Sequence, residues 1–221
     1  MIVITGASDG LGQELAKLYK AEGKTVVNVS RHTSAHADKN FLYDLSKGDE
    51  IIAAAKDILA ESEILESLIN CAGVYTQEPL GSITEDEIKR TMATNVKAPI
   101  LLVSNLIERI KKDGTDIVNV SSAIGTKAHA EQAVYGASKW ALRGFSANLQ
   151  VELKGYPSRV ISFCPGGFRT KLFEKATGFD DVKDPAEWMK PADVARFLKQ
   201  TLELPKNMEV SEVILSRKVA K

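Results

Sequence analysis

Short apolar runs alternate with longer amphipathic stretches along almost the whole chain, and that alternation leaves few folds open. Runs at 1–5, 25–29, 40–43, 67–70, 116–121, 159–163 and 212–215 read as strands, and stretches at 10–22, 49–60, 84–111, 134–154 and 192–202 read as helices. Parallel strands need crossover connections, which cover both faces of the sheet and make its strands apolar throughout. The pattern therefore predicts an α/β fold, a parallel sheet wrapped by helices. With 221 residues, 44% of them hydrophobic, and no repeat, low-complexity tract or linker, the whole chain 1–221 is expected to form one domain. Residues 171–190 break the alternation, mixing Gly178, Pro185, Phe173, Phe179 and Trp188 without a period. A long irregular connection in a compact domain is more often functional than not, so this segment is the expected lid over a substrate.

The first strand runs into Thr5, Gly6, Ala7, Ser8, Asp9, Gly10, Leu11 and Gly12, which open the first helix. Unpaired N–H groups and the helix dipole favour a phosphate there, and small residues let a pyrophosphate approach the backbone. The spacing is GxxxGxG, and glycines in such a turn also serve simply as turn residues; it is the strand before and the helix after that favour a dinucleotide. About 25 residues on, the second strand ends at Ser30 and Arg31, where NAD-binding sheets carry an acid for the ribose hydroxyls. A guanidinium instead matches the 2′-phosphate of NADP, the alternative being a solvated surface arginine. Asp9 adds negative charge near the same end, so the expected cofactor is NADP, with NAD left open. Asp44 and Leu45 follow the third strand, where a carboxylate reaches an adenine amino group or caps the next segment. Asn70, Ala72 and Gly73 follow the fourth, as a close backbone edge for the adenosine ribose or as a turn.

Tyr135 and Lys139 stand four apart in a helical stretch, so their side chains leave one face a turn apart. An ammonium ~4 Å from a phenol at an effective dielectric of ~20 is worth ~4 kcal/mol, enough to bring the phenol down towards working pH. By itself the pair reads as an exposed Tyr and Lys on a helix surface, as many helices carry, and it is the rest of the chain that makes Tyr135 the expected proton donor and acceptor.

Lys and Arg balance Asp and Glu at 29 each, which gives no electrostatic reason to expect nucleic acid or an anionic membrane as a partner. No apolar run approaches the ~18 residues of a membrane span, and with the first strand starting almost at Met1 neither a signal nor a transit peptide is expected. Cys71 and Cys164 lack metal-ligand or redox spacing. No metal site is expected, and two reduced, mostly buried thiols in a cytoplasmic protein is the expected state.

Taken in order, the turn at 5–12, Asn-Cys-Ala-Gly (70–73), Thr-Asn-Val (94–96), Val-Ser-Ser (120–122), Tyr-Gly-Ala-Ser-Lys (135–139), Cys-Pro-Gly-Gly-Phe-Arg-Thr (164–170) and Lys-Pro-Ala-Asp-Val-Ala (190–195) resemble the short-chain dehydrogenases/reductases over most of the chain. The resemblance implies a single-domain, doubly wound Rossmann-type sheet of about seven parallel strands with helices on both faces. It also implies a catalytic set of Asn95, Ser122, Tyr135 and Lys139. Ser122, whose spacing to the tyrosine fits better than that of Ser121, hydrogen-bonds the substrate oxygen in that picture, while Tyr135 supplies the proton. Lys139 lowers the phenol pKa and holds the nicotinamide ribose, and Asn95 holds a water that refills the proton. Pro165, Gly166, Phe168 and Thr170 then lie along the nicotinamide, and His129 and Gln132 line the substrate pocket with Phe173, Phe179 and Trp188 over it. Lys127, Arg169, Lys171 and Lys175 read either as a basic rim for an acidic carrier protein or as solvated surface. The chain is shorter than most members, which implies a more open substrate site.

Two functions follow as expectations. One is an NADP-dependent oxidoreductase acting on a small-molecule carbonyl or secondary alcohol. The other is a non-catalytic dinucleotide-binding redox sensor of the same fold, and the presence of both Tyr135 and Lys139 favours the enzyme. The helices at 84–111 and 134–154, which this family pairs across a two-fold axis, are apolar on more than one face at Ala98, Leu101, Leu102, Trp140, Phe145 and Leu149. A homodimer or homotetramer is therefore expected.

Overall fold

A computed structural model describes residues 1–168, 170, 172 and 188–218. Seven strands, β1 (Ile2–Thr5), β2 (Val26–Ser30), β3 (Lys39–Leu42), β4 (Ser67–Asn70), β5 (Asp116–Val120), β6 (Val160–Pro165) and β7 (Glu212–Leu215), form one sheet in the order β3-β2-β1-β4-β5-β6-β7. All six pairings are parallel. Every residue of β1, β2, β4, β5 and β6 is buried, as strands covered on both faces must be, and only the edge strands β3 and β7 are partly open.

Helices α1 (Gly10–Ala21) and α6 (Pro191–Leu202) cover one face, where Leu15 and Leu198 pack with Ile4 and Phe163. Helices α2 (Gly48–Ala60), α4 (Ala98–Asp113) and α5 (Ala133–Glu152) cover the other, where Ile51, Leu106 and Leu149 pack with Val3 and Leu68. From β1 the chain winds outwards through β2 to β3, then crosses back to β4 on the other side of β1. That reversal opens a crevice beyond the carboxyl ends of β1 and β4, where open α/β sheets bind ligands.

The stretch 84–111 is not the single regular helix its periodicity predicts. It divides into α3 (Glu85–Met92), opened by a Thr84/Glu87 capping box, a π-helical turn (Ala93–Lys97), and α4. The cause is Pro99, which has no N–H and whose ring meets the carbonyl four residues back in a regular α-helix. The wider turn, closed by Ala98 N–H to Ala93 O, absorbs that conflict and buries the side chain of Asn95. The apolar residues expected on outer helix faces also sort differently. Ala98, Leu102 and Leu149 belong to the chain's own core, Leu101 and Phe145 lie at its margin, and Trp140 alone of the six is half exposed.

A buried guanidinium anchors the connection from α6 towards β7. Arg159 pairs with both carboxylate oxygens of Asp116 at 3.0 and 2.8 Å and donates to the carbonyls of Leu202, Leu204, Pro205 and Met208. Among the described residues, no helix is long and apolar enough to cross a membrane, and no group of three His, Cys, Asp or Glu is placed to hold a metal. The segment 171–190, read as a lid, lies outside the described residues except for Leu172, Trp188, Met189 and Lys190.

Candidate active site

At the β1 end, backbone geometry dominates. Gly6 takes a left-handed φ of 72°, and a Cβ there would lie 3.0 Å from Ala72 Cα; one on Gly12 would lie 2.4 Å from the Gly6 carbonyl oxygen. The turn, the start of α1 and the end of β4 therefore meet as a floor free of side chains, which fits a dinucleotide pyrophosphate. Thr5 pins this floor, its hydroxyl accepting from the N–H groups of Cys71 and Ala72 at 3.0 and 2.9 Å. Asp9 caps α1 by accepting from Gly10 N–H at 2.8 Å, Leu11 is buried, and Ser8 reaches Ser30 Oγ at 3.4 Å.

Arg31 is exposed just beyond β2, and its charge helps to hold the Asp44 carboxyl below the usual carboxylate range, after the larger effect of the Ser46 N–H. Asp44 accepts from Ser46 N–H and Oγ–H at 2.9 and 2.8 Å, while α2 starts at Gly48 with Lys47 as its N-cap. Asp44 thus closes the short turn before that helix and does not cap the helix itself. Leu45 is buried and lines a small cavity with Asn70, Ala72 and Asn95. Asn70 donates to Asn119 Oδ1 at 2.8 Å, and its own Oδ1 is buried without a protein partner.

At the α5 end, side chains dominate. Tyr135 and Lys139 are both buried, one turn apart. Lys139 Nζ donates to the Val120 carbonyl at 2.9 Å and lies 5.6 Å from the centre of the Tyr135 ring. Burial pushes the Tyr135 phenol up to about 12, partly offset by a hydrogen bond with Ser122, and drops the Lys139 ammonium to about 8. The sequence argument for a lowered phenol is therefore corrected in the cofactor-free protein. The ammonium sits over the ring and is spent on a strand-end carbonyl, so desolvation outweighs its attraction for a phenolate.

The two adjacent serines divide their work. Ser121 is buried and donates to the Lys139 carbonyl at 2.9 Å, whereas Ser122 starts a short turn by accepting from Ile124 N–H and reaches Tyr135. Asn95 is almost fully buried, and its amide is engaged: it accepts from Val74 N–H at 2.8 Å and donates to Val74 O at 2.9 Å and Ser138 Oγ at 3.0 Å. Ser138 donates in turn to the Tyr135 carbonyl at 2.7 Å. A Cβ on Gly73 would lie 3.3 Å from Asn95 Oδ1 and 3.6 Å from Lys139 Nζ, which joins the end of β4 to this cluster.

On the far side, Gly166 N–H donates to Leu215 O at 2.6 Å as the chain leaves β6, and Phe168 pairs with Met189 in an isolated bridge. Thr170 approaches the glycine turn, its Cγ2 3.1 Å from where a Cβ on Gly10 would stand. Trp188 packs on Gly167 and carries the Arg217 guanidinium 5.0 Å from its ring centre. Phe173, Phe179, Arg169, Lys171 and Lys175 lie outside the described residues, and Lys127 and His129 are exposed.

Sequence reasoning missed several site residues. Tyr75 meets the Tyr135 ring edge-on with centroids 4.8 Å apart, and its hydroxyl donates to Gln77 Oε1 at 2.5 Å. Gln77 reaches Glu131 Oε2 at 3.3 Å, Glu78 N–H donates to Glu131 O at 2.8 Å, and Gln132 hydrogen-bonds Tyr75. The loop after β4 is thus zipped to the loop before α5. At the seam Glu131 holds a φ of 61°, the one positive φ of a non-glycine among the described residues. Nothing in the sequence marks Glu131. Asn28, an amide in the apolar run of β2, and Pro99 are visible signals, for a buried polar contact and an irregular helix.

The family description that matches this chain is short chain dehydrogenase, over residues 1–180. A 3-oxoacyl-[acyl-carrier-protein] reductase of Chlamydia muridarum is 29% identical over 208 residues, covering 88% of this chain and 82% of the relative. A metagenomic short-chain oxidoreductase solved with NADP superposes with a TM-score of 0.83 at 27% identity, covering 99% of this chain and 97% of its own. A 3-ketoacyl-(acyl-carrier-protein) reductase from Brucella melitensis, solved with NADH, gives 0.85 at 25% identity, covering 97% and 95%.

Proposed function

The chain belongs to the short-chain dehydrogenases, and we propose that it is an NADP-dependent oxidoreductase interconverting a carbonyl and a secondary alcohol, with Tyr135 as acid and base. The observation that carries this reading is the convergence of Ser122, Tyr135 and Lys139 beside the ends of β4 and β5, next to a dinucleotide-shaped floor. When bound, a nicotinamide dinucleotide supplies or accepts the hydride. Ser122 donates a hydrogen bond to the substrate oxygen, placed before charge develops there. Tyr135, kept protonated by its burial, gives that oxygen its proton during reduction and removes it during oxidation. Lys139, beside Gly73, holds the nicotinamide ribose and stabilises the phenolate formed when Tyr135 gives up its proton. Asn95 keeps its expected part, holding a water that refills the proton. Its side chain ties Val74 to Ser138, which leaves its main-chain carbonyl, to which Pro99 brings no N–H, as the acceptor for a water.

The dinucleotide would lie over Gly6, Ser8, Gly10, Leu11 and Gly12, with Asp44, Leu45, Asn70, Ala72 and Gly73 at its adenosine half and Pro165, Gly166, Phe168 and Thr170 at its nicotinamide half. The NADP-bound and NADH-bound neighbours support a nicotinamide cofactor without choosing between the two. Arg31, with no acid at the end of β2, supports NADP. Related 3-oxoacyl reductases support ketones, including acyl-chain ketones presented on a carrier, as the substrate class. The same reading makes the chain a single catalytic domain and a cytoplasmic homodimer or homotetramer joined through α4 and α5, where Trp140 and Val151 face outwards. Light scattering at micromolar concentration checks that assembly, and a monomer contradicts it.

The cofactor assignment is tested by calorimetric titration with NADPH and with NADH, repeated on Arg31→Ala. A charge-assisted hydrogen bond is worth ~1.5–3 kcal/mol, so the variant should lose about 10- to 100-fold in NADPH affinity and almost none for NADH. Tighter binding of NADH by the unaltered protein contradicts the NADP assignment.

A further inference from the structure

In the middle of β2, where the register calls for an apolar side chain, stands Asn28, 0% exposed. Burying an amide costs free energy unless it is paired, and this one is paired three times. Its Oδ1 accepts from Ala7 N–H, in the glycine turn, at 3.1 Å. Its Nδ2 donates to the His32 carbonyl at 2.9 Å and to Asn40 Oδ1, directly across in β3, at 2.8 Å. The amide has one workable orientation, because turned over it would set NH2 against the Ala7 N–H and oxygen against the His32 carbonyl.

The partners extend the network. Asn40 Oδ1 also accepts from Ser34 N–H at 2.7 Å, and the His32 carbonyl takes a second hydrogen bond from Ser30 Oγ at 2.7 Å. Arg31 thus sits between two fixed points, the last residue of β2 and the doubly held His32. Its backbone is clamped while its side chain stays exposed.

We propose that Asn28 is a positioning residue for cofactor choice, coupling the pyrophosphate turn at Ala7 to the clamp that aims Arg31 at the 2′-phosphate. The inference rests on the NADP reading above and adds to it the residue that makes Arg31 selective. A flexible arginine at a loop tip spends much of its attraction on being ordered, whereas a clamped backbone spends less. Breaking the clamp should weaken NADPH, which uses Arg31, far more than NADH, which does not.

Two variants separate this from a merely structural role. Asn28→Leu removes the whole hub, and Asn40→Ala, on the partly open edge strand, removes the tether to Ser34 and one Asn28 contact while sparing Ala7. The readout is the ratio of NADPH to NADH dissociation constants by calorimetry, with the melting temperature of the cofactor-free protein as a control. With net hydrogen-bond contributions near tenfold each, Asn28→Leu should weaken NADPH about tenfold more than NADH, whose own loss reflects only the shared turn at Ala7. Asn40→Ala should move the ratio the same way by a smaller factor, and it decides the question if Asn28→Leu does not fold. Equal losses for both cofactors, or an unchanged ratio with a lowered melting temperature, overturn the inference and leave the NADP reading standing. An unaltered protein that prefers NADH or binds neither overturns that reading first, and the inference with it.

Discussion

At the β1–β2 end of the site the geometry is made by backbone, while around Tyr135 it is made by side chains brought together from distant loops. Gly6, Gly12, Thr5 and Asn28 lie close together in the chain, and each either cannot be another residue type or fixes a main-chain group, Thr5 as far away as Ala72. The Tyr135 end depends on Tyr75, Gln77 and Glu131, whose contacts span more than 50 positions. Backbone-made sites bind what many chains bind, a phosphate and a ribose. Sites walled by side chains are where one chain differs from its relatives, so cofactor chemistry is shared while the substrate is individual.

The sharpest way to break the comparison is Gly12→Ala. Its Cβ would fall 2.4 Å from the Gly6 carbonyl, so the turn must open. A loss of at least ~100-fold in NADPH affinity is expected, with several kcal/mol of stability, since overpacking against backbone has no cheap relief. Unchanged binding in titration would show that the turn is not the phosphate floor.

The next effect belongs to the other end. Lys139 titrates near 8 when folded, below its usual 10.5, because burial disfavours the ammonium. Between those values Lys139 binds more protons in the unfolded chain than in the folded one, so its contribution to stability should rise with pH from about 8 towards 10. The gain is up to ~3 kcal/mol at ~1.4 kcal/mol per pH unit, and Lys139→Met should flatten the curve. Burial also raises the Cys71 and Cys164 thiols above 9.0 and the Tyr135 phenol above 10.0, so the thiols act oppositely from about pH 9 and the phenol from about pH 10, where the folded state holds their protons longer. Urea unfolding of the cofactor-free protein and of Lys139→Met across pH 7–9 measures the slope; a slope no steeper than the variant's contradicts a desolvated ammonium.

The fold was legible because parallel strands buried on both faces cannot be anything but apolar runs. β4 and β7 fall where the runs predict them, and the other strands within a residue or two. The helix at 84–111 misled because periodicity is blind to the missing N–H of Pro99, which shows only as the π turn that buries Asn95. Placement of the glycine turn was legible for the same steric reason that fixes it. The phenol's pKa was not, since spacing sets that Tyr135 and Lys139 share a helix face and says nothing of how much water is excluded or which carbonyl takes the ammonium. Glu131 was invisible, because a left-handed glutamate carries no sequence signal.

The smallest effect sharpens the comparison at that residue. A left-handed backbone costs a non-glycine residue ~1–2 kcal/mol, so Glu131→Gly should gain up to ~1 kcal/mol even after losing the Gln77 contact. It should leave NADPH affinity unchanged while altering relative rates across a panel of ketones. Destabilisation in urea titration would mean that the seam is held by the side chain and is not strained.

The central claim is that Tyr135 moves a proton for a hydride transfer at this site. It is tested most directly by following NADPH oxidation with a panel of small and acyl-chain ketones, for the unaltered protein and for Tyr135→Phe, beside calorimetric NADPH binding. The account predicts turnover by the unaltered protein, a loss of about 10³-fold in the variant, and NADPH affinity within about threefold, as expected when a general acid is removed from an intact site. Turnover that survives in Tyr135→Phe, or tight NADPH binding with no turnover of any carbonyl by either protein, would contradict it, and the second result would point to a dinucleotide sensor.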